Sequence, residues 1–264
     1  MMTNPKTVLI TGAGSGIGRA LAVEAARRGY ALILAGRRAE PLAGTAALIS
    51  GAAVRIVPAD VCDADGRAAL RAAAGGRLDV LINNAGVLEV GHLAAQDDAA
   101  IAGMIATNLI APILLTRDLL PALRAAQGRV ANIGSVFGDI AYPYFSAYSA
   151  AKFGLRGFSD ALRREMSGQG VGVTYVAPRA TRTAAEAAFA PLIGPLGMAL
   201  DAPEAVARQA WDAIAAGRRE AFPRGPERLF VLIQRLFPAL IDRSVGAQAR
   251  DRRTLDALSA LKSA

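Results

Sequence analysis

The chain has 264 residues, 53% hydrophobic and 20% charged, with a formal net charge of +8. That composition allows a sizeable core and excludes a disordered chain, while one cysteine (Cys62) and one histidine (His92) exclude an intrachain disulfide, a cysteine-based metal cluster and a two-histidine metal site. The positive charge is nearly all arginine, in pairs scattered from Arg27-Arg28 to Arg252-Arg253 rather than in one basic stripe with interleaved aromatics, so no nucleic-acid partner is expected.

Residues 6–11 read as a buried strand of apolar and β-branched residues. The start of the chain lacks signal-peptide order and no 18-residue apolar run is read, so a cytoplasmic protein without a spanning helix is expected. Thr11-Gly12-Ala13-Gly14-Ser15-Gly16-Ile17-Gly18 follows the strand, then a helical pattern from Ile17 to Arg28. Strand, glycine loop and helix in this order form a dinucleotide-binding turn. The glycines let the backbone approach phosphate, and the helix N-terminus offers free N–H groups and partial positive charge.

Tyr30 to Ala35 give a second strand, ending in Gly36-Arg37-Arg38. A carboxylate at this strand end would bond the adenosine ribose and repel a 2′-phosphate; two guanidiniums stand here instead. NADP(H) is therefore expected over NAD(H), with Arg37 as main ligand and Arg38 and Ser15 as helpers, against the alternative that both arginines are merely solvated. Glu40 to Ile49 look helical and Val54 to Val57 form a third strand, followed by Ala59-Asp60-Val61. Asp60 is placed either to bond adenine or to cap the helix near Asp63. Cys62 is expected as a small filler past the strand end. Leu78 to Ile82 form a fourth strand ending in Asn83-Asn84-Ala85-Gly86, where small residues leave room for a cofactor and Asn side chains brace backbone, or where an ordinary turn sits. His92 falls in a loop with no catalytic role.

Asp97 to Gln127 read as one long helix, in which Asn108 interrupts an apolar run and needs a polar partner. Val130 to Ile133 give a fifth strand ending at Gly134-Ser135. A loop with Phe137, Tyr142, Tyr144 and Phe145 leads to a helix from Ala147 to Met166. Tyr148 and Lys152, four apart, share one face of it. An ammonium beside a phenol favours the phenolate, so Tyr148 is a candidate acid/base near neutral pH. Val171 to Val176 give the sixth strand, followed by Pro178-Arg179-Ala180-Thr181-Arg182-Thr183.

Six alternations of strand and helix predict an α/β Rossmann-type doubly wound parallel sheet of about seven strands, in a single domain over 1–264, with the site at the strand C-termini. Residues 184–200 are apolar and broken by Pro and Gly. Asp201-Ala202-Pro203-Glu204 starts a capped helix running to about Ala216, and Glu220 to Phe222 suit a seventh strand. Glu227 to Leu240 read as one amphipathic helix, a pocket cover or subunit contact rather than a membrane-surface helix. The last twenty residues read as a polar helix or a frayed tail.

In the order and spacing of Thr11-Gly12-x-x-x-Gly16-x-Gly18, Asp60, Asn83-Asn84-Ala85-Gly86, Asn108, Ser135, Tyr148-x-x-x-Lys152 and Pro178-to-Thr183, the chain resembles the short-chain dehydrogenase/reductase family. The resemblance implies a carbonyl–alcohol oxidoreductase. Tyr148 would be its acid/base, Lys152 would bind the nicotinamide ribose, Ser135 would orient the substrate oxygen, and Asn108 would hold a relay water. It implies cofactor contacts along Gly12, Gly14, Ser15, Gly16, Ile17 and Gly18, at Asp60 and Val61, at Asn84, Ala85 and Gly86, and at Tyr148, Lys152, Pro178, Arg179, Thr181 and Thr183. It also implies a substrate flap over 184–200, a C-terminal helical extension over 225–264, a hydrophobic substrate, and homodimers or homotetramers. Arg179 departs from the family's usual Pro-Gly. The alternative is a non-catalytic NADP(H) sensor on the same fold.

Overall fold

The computed structural model describes residues 5–261; the readings at Met1 to Asn4 and at Lys262 lie outside the described residues. β1 (Thr7–Thr11), β2 (Ala31–Gly36), β3 (Val54–Pro58), β4 (Val80–Asn83), β5 (Arg129–Ile133), β6 (Gly172–Val176) and β7 (Glu220–Ala221) form one parallel sheet in the order β3-β2-β1-β4-β5-β6-β7. Parallel strands need crossovers, and those crossovers cover both faces with helices. Alternation along β1 sends Val8 and Ile10 to one face, against Leu21 of α1 (Gly16–Arg27) and Trp211 of α7 (Pro203–Ala215). Leu9 goes to the other, with Leu70 of α3 (Ala64–Ala74), Leu115 and Leu119 of α5 (Ala111–Ala126), and Leu162 of α6 (Ser146–Glu165). Trp211 also donates its indole N–H to Leu21 O at 3.0 Å, tying α7 to α1. α2 (Ala39–Ala46) lies between β2 and β3.

A buried polar chain stitches the middle of the sheet to its helices. Asn83 donates to Thr116 at 3.0 Å and to Asn132 at 2.8 Å, and Asn132 donates to Ser159 at 2.8 Å. With every member partnered, such a chain fixes the packing of β4 and β5 on α5 and α6.

Several expectations change in detail. The helix expected over 97–127 is α4 (Asp98–Ile105) joined to α5 by a π-helical turn, Ala106–Ile110. Its continuous length, Asp98–Ala126, contains an 18-residue window with a mean hydropathy of 1.9 and is by length and composition long and apolar enough to cross a membrane, correcting the reading that no such run exists. Here Leu115, Leu119 and Leu123 pack that helix on the sheet. Cys62 is exposed rather than a filler, because the chain turns outward after β3. Ala202, not Asp201, holds the cap position of α7, because Asp201 is taken by Arg179. The single helix expected over Glu227 to Leu240 is two, α8 (Glu227–Leu236) and α9 (Pro238–Arg250), because Pro238 cannot continue the ladder and Phe237 turns out of it. The tail forms α10 (Arg252–Leu261), whose Leu258 packs on Leu192 and Phe189.

Val231 is the buried residue of α8, and Leu229, Leu232, Leu236, Phe237 and Leu240 are each more than half exposed. Charge holds α8 down instead. Arg235 reaches Asp139 at 3.1 Å, Arg228 reaches Glu220 at 3.4 Å, and Glu227 accepts from Arg179 at 2.8 Å.

Candidate active site

The strand C-termini end level across the sheet, with Thr11 opposite Ala35, Asn83 opposite Asn132, and Ile133 opposite Val176. Chain order reverses between β1 and β4, which opens a crevice there. The crevice is a cleft of ≈ 370 Å³ lined by Gly12, Ser15, Gly16, Ile17 and Gly18, by Asn84, Ala85 and Gly86, and by Asn108, Ser135, Tyr148, Lys152, Pro178, Arg179, Thr181 and Thr183. Gly14, Arg37, Arg38, Asp60 and Val61 lie outside this lining. Gly14 packs on Pro41, and the others follow the ends of β2 and β3.

The glycine loop is shaped for close approach. Gly12 and Gly16 have φ of +65° and +51°, and a Cβ at Gly18 would overlap the Gly12 carbonyl. Asn84 Nδ2 donates to Thr11 O at 2.9 Å, and Thr11 Oγ1 accepts from the N–H groups of Asn84 and Ala85 at 2.9 and 3.0 Å. Arg19 donates to Gly14 O at 2.6 Å and to Thr45, whose hydroxyl donates to Ala13 O at 2.8 Å. The loop is therefore braced from both sides. The first turn of α1 carries no acidic residue, so its free N–H groups face the cleft with their partial positive charge uncancelled. Bare backbone beside a helix N-terminus fits a dinucleotide pyrophosphate. Arg37 and Arg38 are exposed just past β2 and have no ion-pair partner among the described residues. The Asp60 carboxylate accepts from Cys62 N at 2.9 Å, a turn within its own loop rather than a cap on α3.

Ser135 lies two residues past β5, and its hydroxyl accepts from Phe137 N at 3.1 Å. Tyr175 fixes its backbone from β6, accepting from Ser135 N at 3.3 Å and donating to Ser135 O at 3.2 Å. The Tyr148 phenol faces the Ser135 side chain, which lowers it slightly. Lys152 Nζ donates to Ile133 O at 3.0 Å and lies 5.5 Å from the centre of the Tyr148 ring. Burial pushes the phenol up to about 12, with a smaller lowering by Ser135, and pulls the ammonium down to about 8. The lowered phenol expected from the i,i+4 pair is thus reversed: the ammonium is held against Ile133, and loss of water outweighs its attraction.

Asn108 sits in the π-turn, fully buried. It donates to Val87 O at 2.7 Å and accepts from Val87 N at 3.0 Å. Its carboxamide holds the chain after β4 at both ends. Thr181 donates to Arg179 O at 2.9 Å, while Thr183 lies beside Gly16. The Arg179 guanidinium turns away from the reacting groups and is clamped by Asp201 at 2.7 Å and Glu227 at 2.8 Å. Phe137 stacks on Tyr142 and meets Phe145 and Tyr148 edge-on, and Phe137, Phe145, Phe189 and Met198 make the cleft wall apolar. The flap residues Ala184–Ala188 and Ala190–Leu192 form two 3₁₀ turns anchored by buried Phe189, Leu192 and Leu196. Arg19, Thr45 and Tyr175 are supports the sequence did not single out. Each acts across the fold, and no local pattern marks it.

The sequence model of the short chain dehydrogenase family matches residues 6–191. Ketoacyl reductase HetN of a Nostoc species is 38% identical over 66% of the chain, and the alignment spans 62% of that protein's length. Dehydrogenase/reductase SDR family member 7B of Xenopus tropicalis is 31% identical over 94% of the chain and 87% of its own. A short-chain dehydrogenase from Sphingobium yanoikuyae, solved in complex with NADPH, superimposes with a TM-score of 0.74 at 31% identity, covering 94% of this chain and 96% of that one.

Proposed function

This chain belongs to the short-chain dehydrogenase/reductase family, and from that premise we propose an NADP(H)-dependent enzyme interconverting a carbonyl and a secondary alcohol on a hydrophobic substrate. The observation that carries the proposal is the meeting of Ser135, Tyr148 and Lys152 on the floor of the cleft that the glycine loop opens. A nicotinamide held in this cleft would supply or accept the hydride. The glycine loop and the N-terminus of α1 would hold its pyrophosphate, and Lys152 would hold the nicotinamide ribose. Arg37, with Arg38 and Ser15, grips the 2′-phosphate; their lack of ion-pair partners supports this, as does the NADPH bound by the Sphingobium relative.

Tyr148 gives its phenolic proton to the carbonyl oxygen as that oxygen gains charge, and Ser135 steadies the same oxygen. A phenol raised by burial is a ready donor for reduction at neutral pH. Oxidation needs the phenolate, and therefore the ammonium of Lys152 or higher pH. The apolar wall supports a hydrophobic substrate. Half-exposed Ile110 and Phe153, on the helices that carry Asn108 and Tyr148, support a homo-oligomer built on that face.

The test is NADPH oxidation by purified protein across ketones and aldehydes, beside Tyr148→Phe. Turnover that drops at least a hundredfold in the variant, with NADPH still bound, is expected. Equal turnover in both proteins would remove Tyr148 from the mechanism, and NADPH binding with no turnover would favour the sensor alternative.

A further inference from the structure

The cleft does not end at its aromatic wall. Behind Phe137 lies a second chamber of ≈ 420 Å³ that shares Val136, Phe137, Arg179, Ala180 and Met198 with the first. Its outer wall comes from α8 and α9, through Phe230, Val231, Ile241 and Val245. Its polar atoms gather at two ends. The clamped Arg179–Glu227 pair marks the junction, and Gln248, which accepts from the Tyr142 hydroxyl at 3.4 Å, marks the far end. Apart from Ser244, the other lining side chains are aliphatic and aromatic. The volume falls within the ~300–1,000 Å³ of ligand pockets and holds roughly a dozen groups of ~30 Å³ each.

We propose that this second chamber is a subsite for an apolar chain attached to the reacting carbonyl. The substrate then lies bent around Phe137, with its oxygen at Ser135 and Tyr148 and its tail under α8 and α9. The proposal rests on the reductase reading for the position of the carbonyl. It adds the tail's class and the place where length is measured. Arg179 is a positioning residue in this arrangement: its two ion pairs hold the flap end and α8 at the spacing that keeps the chamber open.

The experiment uses 2-alkanones from four to fourteen carbons with the full chain and NADPH. It compares the unaltered protein with Val245→Trp and Ile241→Trp, which fill the chamber and lie outside the catalytic cleft. In the unaltered protein kcat/KM rises about threefold to fourfold per added methylene until the chamber is full. In the Trp variants the rise stops several carbons earlier, lowering the twelve-carbon ketone more than tenfold and leaving the four-carbon ketone unchanged. A flat series in the unaltered protein, or the same rise in all three, overturns the proposal. Calorimetric binding of 2-tridecanone to the NADP⁺-loaded protein separates this failure from failure of the chemistry. Binding without turnover, weakened more than tenfold by either Trp, leaves the subsite standing and sinks the reductase reading. No binding, or binding indifferent to both substitutions, sinks the subsite.

Discussion

Lys152→Met is expected to make this protein more stable at neutral pH while removing its proposed chemistry. Lys152 is buried without a carboxylate partner, and its ammonium is pulled down to about 8 from an ordinary 10.5. Below pH 8 both the folded and the unfolded chain carry the proton, and the folded state bears the whole cost of a dry ammonium. Between pH 8 and 10.5 the unfolded chain holds more protons than the folded one, so stability rises with pH; above 10.5 both are neutral and the cost is gone. The displacement corresponds to about 3 kcal/mol at pH 7. Methionine fills a similar volume but leaves the Ile133 carbonyl without its donor, which returns about 1 kcal/mol. The net expectation is a gain of about 2 kcal/mol, or roughly 4–8 °C in Tm. Urea unfolding of the cofactor-free protein at pH 7.0 and 10.5 reads it. A variant less stable than the unaltered protein at pH 7, or an advantage of the same size at both pH values, refutes the reasoning. The expected result is informative beyond stability, since a stabilising loss of function marks a group kept for its chemistry.

Arg37→Asp should weaken NADPH at least tenfold and leave NADH within twofold, measured by fluorescence titration; equal NADPH affinity would return both arginines to solvent. Asn108→Ala strands the N–H and C=O of Val87 and should cost about 2 kcal/mol in urea unfolding; a change below about 0.5 kcal/mol would mean that water replaces the amide. Arg179→Gly leaves Asp201 and Glu227 unpaired and partly buried, with a cost of about 1–2 kcal/mol after allowing for solvent screening. Protease nicking within 225–264 should quicken in that variant, and an unchanged digestion pattern would sink the clamp.

What was legible in the sequence is what lies close along the chain. The strand, glycine loop and helix from Thr7 to Arg27 are one contiguous motif, and Tyr148 and Lys152 are one helical turn apart. Asn84 was legible as a brace on backbone, but its partner Thr11 lies 73 residues away and was not. What escaped depends on burial or on distant partners. Asn108 announces a polar partner, yet nothing in sequence says that Val87 takes both ends of its amide. Spacing pairs the Tyr148 phenol with an ammonium, but only packing decides that lost hydration outweighs attraction. The Asp201 carboxylate looks like a helix cap until Arg179 arrives from 22 residues away. Pro238 is the exception: it is a visible breaker, and the amphipathic period across it hides a break that its chemistry dictates.

The attachment of α8 has a bearing on how such a protein diversifies. The sheet and its site are locked by apolar packing and by the Asn83–Asn132–Ser159 chain, where single changes carry far. The roof over the second chamber is instead pinned by the exposed guanidiniums of Arg228 and Arg235 on the more buried carboxylates of Glu220 and Asp139, and by one buried valine. It behaves as an exchangeable part. Its residues are free to drift, lengthen or be replaced without disturbing the catalytic floor, and ionic strength becomes a knob that loosens the roof before the floor is affected. New substrates would then be acquired by editing the last forty residues, while the chemistry beneath stays untouched.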